Sequence, residues 1–201
     1  MEVFHRQFSI EPKHLVRALM AFCQRDRNFL AESRKLTFQS QLPMTLRRGK
    51  KLIVIAHNIR SLHNIGSLFR TADAVGVEKI FLTGFSGIPD HPKVAKVALG
   101  AEKTILWKKY SRIGNLLKQL KKDGYQIVAL EQDPMSVAYD SFCPRFPIAL
   151  IVGNEVSGIS RAILKNADAI IEIPQKGRKE SLNVSVAFGI AVYALCGGLR
   201  M

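Results

Sequence analysis

Three stretches of the sequence place polar or charged side chains where an apolar run ends, and these residues could do chemistry. In residues 153–160, GNEVSGIS, Gly153 and Glu155 follow the apolar run directly. A glycine at this point lets a ligand approach the backbone closely. Glu155 is either a carboxylate of a binding site or an acceptor for nearby amides or an arginine. The stretch alone leaves both interpretations open.

The second stretch, HNIRSLHNIGSLFRTADAVG, predicts a helix over residues 65–75, with Asn64 as a good N-cap and Gly76 as a good C-terminal stop. Two of its residues are not explained by helix formation. Gly66 costs about 1 kcal/mol relative to alanine inside a helix, which suggests that another group approaches it closely. Arg70 lies off the apolar stripe, so it is either a binding residue or a solvated surface arginine.

The third stretch, residues 173–195, begins with a strand end at Pro174 and a basic loop, and continues into a helix predicted over 182–196. Ser181 and Asn183 stand where this helix begins, and Ser181 could simply be its N-cap. The helix is apolar nearly all round, and such a helix must be covered on both sides. This pattern predicts a subunit interface.

The rest of the sequence from residue 52 onward predicts the elements that position these loops. Short apolar runs alternate with amphipathic stretches, which indicates an α/β fold with a mostly parallel sheet and helices on both faces. Ligands of such sheets bind beyond the carboxyl ends of the strands. The predicted strands are 52–57, 79–84, 103–107, 125–130, 147–152 and 169–173, and the predicted helices are 65–75, 111–122, 160–166 and 182–196.

The net charge of +14 suggests a polyanionic partner, with nucleic acid favoured over an acidic membrane. Residues 1–51 hold 11 basic and 4 acidic residues, which is half of that excess. We therefore predict a basic, partly helical N-terminal extension over residues 1–50 and one α/β domain over residues 51–201.

Several other classes of site and location are not supported. The glycine-rich loops of dinucleotide and nucleoside triphosphate sites are missing, as are the nucleophile elbow and the paired histidines of zinc enzymes. The cysteines (Cys23, Cys143 and Cys196) are far apart, so neither a metal nor a disulfide framework is expected.

No apolar run is long enough for a membrane span, and the N-terminus lacks the pattern of a signal peptide. A cytoplasmic protein is the simplest expectation. His57 and His63 are interpreted as structural or close to phosphate.

Taken together, the three loops resemble the motifs of the SpoU (TrmH-type) group of SPOUT RNA methyltransferases. The resemblance runs from about residue 51 to the end of the chain. Its motifs are NIGSLFRTA from Asn64, IVGNEVSGI from Ile151, and IPQ from Ile173 followed by ESLNVSVA from Glu180. Residues 90–102 also resemble the linker that follows the second strand in this family.

The resemblance implies a C-terminal trefoil knot, a homodimer built through the last helix, and transfer of a methyl group from S-adenosylmethionine to a ribose 2′-OH. The substrate it implies is tRNA or rRNA, and the sequence does not decide between them. Carried over by motif, the residues expected to contact the cofactor are Leu130, Gly153, Ile173, Leu182 and Asn183.

The resemblance also implies the residues expected at the reacting ribose, which are Arg70, Asn64, Glu155, Ser181 and Asn183. Arg70 would contact the 2′-OH, in related dimers beside the cofactor of the opposite subunit, and Glu155 would anchor Arg70 or Asn64. Two alternatives remain at this point. One is an inactive RNA-binding or ribosome-assembly protein of the same fold, and the other is a knotted methyltransferase that acts on a base.

Overall fold

The apolar runs of the sequence form the middle of a parallel β-sheet. The computed structural model describes residues 51–197, and all strand pairs in that part are parallel, in the order β3-β2-β1-β6-β4-β7-β5. The strands are β1 (Leu52–His57), β2 (Lys79–Thr83), β3 (Leu106–Tyr110), β4 (Gln126–Leu130), β5 (Val137–Ala138), β6 (Ile148–Val152) and β7 (Ala169–Glu172).

Six helices accompany the strands in the described part of the chain. They are α1 (Leu62–Val75), α2 (Pro92–Ala98), α3 (Ala101–Thr104), α4 (Ile113–Lys122), α5 (Arg161–Leu164) and α6 (Val184–Leu195). Every residue of β6 is buried, and so are the first five of β1, which means that both faces of the sheet are covered. Side chains from α4 and α5 join the core on one face, while α1 packs against α2 and α6.

Helix α1 begins three residues earlier than the sequence predicts. Its N-cap is Ser61, whose hydroxyl accepts a hydrogen bond from the Asn64 backbone amide at 3.3 Å. The prediction of Asn64 as N-cap is therefore wrong, and its side chain is left available for another partner. Gly76 ends the helix in the left-handed conformation, with φ of 74°, as its position predicts.

Gly66 is explained by packing between α1 and α2. A Cβ atom built on Gly66 would lie 2.7 Å from Val97 Cβ and 2.8 Å from the backbone oxygen of Val94. Only a residue without a side chain lets the two helices approach this closely. The close approach that the sequence suggested is therefore made by a neighbouring helix.

We expect Gly66→Ala to lower the free energy of unfolding by up to about 2 kcal/mol, because the added methyl group overpacks the contact with α2 at a cost of about 1–3 kcal/mol. This cost should exceed the gain of about 1 kcal/mol that alanine brings to a helix. Urea unfolding followed by circular dichroism measures the change. Gly114→Ala in α4 is the matched control, since a Cβ there meets no atom within 4 Å. Equal effects of the two substitutions would contradict the packing explanation.

Besides the earlier start of α1, four elements were misplaced or missed by the sequence prediction. The strand predicted over 103–107 is wrong, because residues 101–104 form α3 and the edge strand β3 covers Leu106–Tyr110. Edge strand β3 exposes Lys108 and Lys109, so it lacks the continuous apolar run on which the prediction relied. Helix α2 and the two-residue strand β5 were not predicted.

Several predictions lie partly or wholly outside residues 51–197. The helical N-terminal extension and Cys23 fall outside the described residues, and the trefoil knot stays a prediction. No helix between residues 51 and 197 combines the length and apolar character needed to cross a membrane.

Candidate active site

Asn154 folds the loop that follows β6. Its buried side chain accepts hydrogen bonds from the backbone amides of Val156 and Ser157, both at 2.9 Å, and donates one to the backbone oxygen of Asn58 at 2.8 Å. The backbone of Asn154 also pairs with Gly158. These bonds close a tight turn and attach it to the loop after β1, so that Glu155 points toward the start of α1.

Glu155 joins the loop after β6 to the loop after β1. Its carboxylate accepts hydrogen bonds from the backbone amides of Arg60 at 3.0 Å and Ser61 at 2.9 Å, and from the Asn64 side chain at 2.9 Å. Partial burial acts to raise the pKa of Glu155, but the bonds from Arg60, Ser61 and Asn64 together outweigh it and lower that pKa below its ordinary value. The group is therefore an anionic anchor at neutral pH.

Asn64 extends this connection to the third loop. Its side-chain oxygen accepts a hydrogen bond from the Asn183 side-chain amide at 3.1 Å. Asn183 is the N-cap of α6, and its oxygen accepts from the backbone amide of Ser185 at 2.9 Å and from the Ser185 hydroxyl at 2.6 Å. The side-chain amides of Asn64 and Asn183 each donate one hydrogen bond and accept another. Glu155, Asn64, Asn183 and Ser185 therefore form one continuous chain of hydrogen bonds.

A pocket opens beside this chain, at the carboxyl ends of β4, β6 and β7. It is lined by both apolar and polar groups. Four of the residues predicted to bind a cofactor contribute to its wall, together with Glu155 and Ser181. The described lining residues are Leu130, Glu131, Gln132, Val152, Gly153, Asn154, Glu155, Val156, Gly158, Glu172, Ile173, Gln175, Ser181, Leu182, Val184 and Ala187.

Asn64, Asn183 and Arg70 do not line the pocket within one chain. Arg70 is exposed, and its side chain makes no hydrogen bond or ion pair with the residues described between 51 and 197. It lies about 120° around the α1 axis from Asn64 and about 9 Å along it, given the geometry of an α-helix. Glu155 was expected to anchor either Arg70 or Asn64. Its carboxylate binds the Asn64 side chain, and a contact with Arg70 is not observed.

Comparison with known proteins decides the family. A model of the SpoU rRNA Methylase family matches residues 51–193, which is most of the chain. The chain belongs to this family.

Individual relatives of this SpoU family member agree with the match. A tRNA (guanosine(18)-2′-O)-methyltransferase of Aquifex aeolicus is 38% identical over 148 residues, covering 73% of this chain and 69% of that protein. A 23S rRNA (guanosine-2′-O-)-methyltransferase of Ralstonia nicotianae is 30% identical over 145 residues, covering 72% of this chain and 58% of that protein. The chain thus spans less than two thirds of the length of some relatives.

A solved structure shares the fold of this SpoU chain. It is the crystal structure of an AdoMet-bound rRNA methyltransferase from Sinorhizobium meliloti, with a TM-score of 0.71 and 28% identity. The match covers 76% of this chain and 58% of that one. It supports the α/β architecture described above.

Two residues of the candidate site were missed in the sequence. Asn154 was quoted within its motif but was given no role, although it folds the loop. Glu131 lines the pocket, and its carboxylate accepts hydrogen bonds from the backbone amides of Ile159 at 2.7 Å and Gln132 at 3.1 Å. Glu131 directly follows strand β4, so the rule that ligands bind at carboxyl ends of strands could have found it.

His57 supports the site from behind. Its Nδ1 bonds the buried Thr83 hydroxyl at 2.8 Å, and its Nε2 accepts from the Asn58 side-chain amide at 3.0 Å. The Asn58 oxygen in turn accepts from the Phe85 backbone amide at 3.2 Å. This pattern requires a neutral imidazole with its proton on Nδ1, and burial lowers the pKa of His57 accordingly. The prediction of a structural role for His57 agrees with these contacts.

The stability of the SpoU domain should therefore depend on the protonation of His57. Because its pKa is lower in the folded state than the unfolded value near 6.5, its contribution is fully present above about pH 6.5. That contribution is lost as pH falls through the folded-state pKa. We expect the free energy of unfolding to decline over this interval for wild type and to decline less for His57→Gln. Urea titrations at several pH values measure both slopes.

His63→Gln is the control for this measurement, because His63 is exposed and forms no such network with the residues described between 51 and 197. Parallel pH slopes for wild type and His57→Gln would show that His57 titrates normally.

Proposed function

We propose that this protein transfers a methyl group from S-adenosylmethionine to a ribose 2′-OH of RNA. The observation that carries the proposal is the convergence of three separate loops on one pocket, through the chain of hydrogen bonds that links Glu155, Asn64 and Asn183. Membership of the SpoU family and the activities for which its relatives are named support the same chemistry.

The composition of the pocket suits the cofactor. Three carboxylates, from Glu131, Glu155 and Glu172, line a pocket in a chain of net charge +14. A local excess of negative charge favours a cationic ligand, and S-adenosylmethionine carries a sulfonium and an ammonium group. Apolar walls from Leu130 and Leu182 suit a purine ring. The AdoMet-bound relative supports this assignment.

The bound cofactor would supply an electrophilic methyl group, so the protein has to aim and activate a hydroxyl. Positioning alone can supply several kcal/mol of the barrier. We assign Arg70 to orient the 2′-OH and the adjacent phosphate. A guanidinium stays protonated in proteins and is a poor proton acceptor, so orientation and charge are the contributions expected of it. Ser181 and Asn183 are assigned to ribose and to the cofactor carboxylate.

Glu155 and Asn64 act in this scheme mainly by holding the loops together. The Glu155 carboxylate has its observed donors in the Arg60 and Ser61 amides and the Asn64 side chain. Asn64 in turn holds Asn183 at the start of α6. Because Asn64 and Arg70 lie on the same helix, these bonds fix α1 and Arg70 relative to the loop after β6.

A homodimer through α6 would complete the site. Val186 and Tyr193 of α6 are 50% and 43% exposed, and no polar face separates them from the rest of the helix. Within one chain Arg70 is exposed and outside the pocket. A second subunit would cover the apolar surface of α6 and could bring its own Arg70 to this pocket.

Two measurements test the proposed reaction on the full chain. Calorimetry should show saturable binding of S-adenosylmethionine, and its absence would favour an inactive RNA-binding or assembly protein. Mass spectrometry of nucleosides after incubation with tRNA or rRNA should detect ribose methylation. Methylation on a base would identify the other reaction class. The relatives act on both tRNA and rRNA, so comparison of the two RNAs decides the substrate. An RNA substrate is consistent with the expected cytoplasmic location.

The N-terminal extension is expected to contribute to RNA affinity through phosphate contacts, because of its high positive charge. We predict that deletion of residues 1–45 weakens binding of a tRNA transcript and makes its dependence on salt concentration less steep. Fluorescence anisotropy at several salt concentrations measures both effects. An unchanged salt dependence would mean that the extension does not contact RNA.

A further inference from the structure

A second groove lies next to the pocket, and the proposed reaction does not use it. It is lined by Arg60, Phe85, Asn154, Val156 and Ser157. Asn154 and Val156 also line the pocket beside Gly153, so the two sites adjoin. We call this second site the Phe85 groove.

The backbone that presents Phe85 is held firmly although the ring itself is 62% exposed. The Phe85 amide donates to Asn58 Oδ1 at 3.2 Å. The buried Ser86 hydroxyl accepts from the Ile59 amide at 2.9 Å and bonds the backbone oxygens of Ala56 and Thr83, at 2.9 and 3.0 Å. An aromatic ring on a well-bonded loop is thus kept in solvent, where it is available to a planar ligand.

Gly84 and Lys109 fix the same loop further. Gly84 has φ of 62°, and a Cβ there would overlap Asn58 Oδ1, so the turn admits no side chain. The Lys109 ammonium donates to the backbone oxygen of Ser86. The backbone that carries Phe85 is therefore held by contacts from β1, β3 and the loop itself.

Arg60 contributes a cation to the same groove. Its backbone amide is bound to Glu155, which fixes its place beside the pocket, while its side chain is exposed. The guanidinium makes no hydrogen bond or ion pair to the residues described here. Val156, at 83% exposure, adds an apolar wall.

We infer that the Phe85 groove binds an unpaired nucleobase of the RNA strand whose ribose reaches the pocket. Single-stranded RNA is recognised by stacking of splayed bases on aromatic rings and arginine planes, and the groove supplies one of each. The positive charge of the chain favours this polyanionic occupant over a basic or uncharged protein surface. The inference deepens the proposed function and rests on it for the identity of the strand. It implies that the target nucleotide lies in a loop or bulge.

Two short probes of equal length separate base stacking from charge. One is fluorescein-labelled oligouridylate, which lacks the adenine of the cofactor, and the other is the corresponding abasic ribose-phosphate oligomer. We expect the full-length wild type to bind oligouridylate more tightly. Phe85→Leu should weaken that binding about tenfold and leave the abasic oligomer unaffected, because base–aromatic stacking is lost. Phe85→Tyr should retain the preference.

Leu106→Ala is the matched control, because Leu106 is also 62% exposed and lies on strand β3 away from the groove. Equal affinity of Phe85→Leu and wild type for oligouridylate would overturn the inference. So would a loss of affinity for both probes, since that indicates charge or misfolding rather than stacking. Sedimentation shows whether Phe85→Leu instead dissociates a dimer, which would assign the groove to a second copy of the chain. Cofactor calorimetry tests the proposed function separately.

Discussion

Replacing Arg70 by alanine is expected to reduce methyl transfer by about 10³-fold, within the range found for groups that move or orient protons in transition states. Affinity for S-adenosylmethionine should change little, because Arg70 is assigned to the 2′-OH and the adjacent phosphate of the RNA and not to the cofactor. Single-turnover transfer to RNA and calorimetry of cofactor binding measure the two quantities separately. Lys118→Ala removes an exposed cation from a different helix, α4; it is the control and should leave both unchanged.

Mixed dimers show which subunit supplies Arg70. Arg70→Ala protein is mixed with Gly153→Ala protein, which is expected to have lost its own pocket. If Arg70 acts across the interface, the mixture should recover about a quarter of wild-type activity, since half of randomly paired dimers are mixed and each has one complete site. Recovery near zero would place Arg70 in its own subunit's site. Near-normal transfer by Arg70→Ala alone would refute its assigned role.

The central strands were predictable because a strand that is buried on both faces has a nearly continuous run of apolar residues. Strand β1 matches its predicted bounds, and β6 starts one residue later than predicted. The edge strand β3 was misplaced because it is exposed to solvent and therefore lacks a continuous apolar run. Strand β5 is too short to produce a pattern at all. Helix α2 was missed. Gly66 indicates that another group packs closely against α1, but it does not show that this group is a helix.

The convergence of the three loops at the candidate site was also predictable, since polar residues follow three apolar runs and the ends of parallel strands meet at one edge. The partners of Glu155 were only partly predictable. Asn64 was one of two expected partners, but the amides of Arg60 and Ser61 are backbone donors that any sequence provides. The N-cap of α1 is Ser61 and not the predicted Asn64. Ser61 and Asn64 both suit that position, and the bond between Asn64 and Glu155 decides between them.

We expect Gly153→Ala to lower the affinity for S-adenosylmethionine by about 10–10²-fold, which corresponds to the roughly 1–3 kcal/mol that overpacking costs. A Cβ on Gly153 would lie 2.5 Å from Ile159 Cγ1 and 2.7 and 2.8 Å from the backbone carbon and oxygen of Gly158. Backbone atoms cannot rotate away as a side chain can, so the turn over residues 154–158 has to move. That turn carries Glu155, and its movement would also loosen the bond to Asn64.

Gly177→Ala is the matched control, because Gly177 lies in the neighbouring loop after β7 and a Cβ there meets no atom within 4 Å. It should keep wild-type affinity in the same calorimetric titration. Urea unfolding of both variants shows whether Gly153→Ala is still folded when affinity is measured. A folded Gly153→Ala protein with normal cofactor affinity would show that the pocket beside Gly153 is not the cofactor site, because the steric displacement acts directly on its wall.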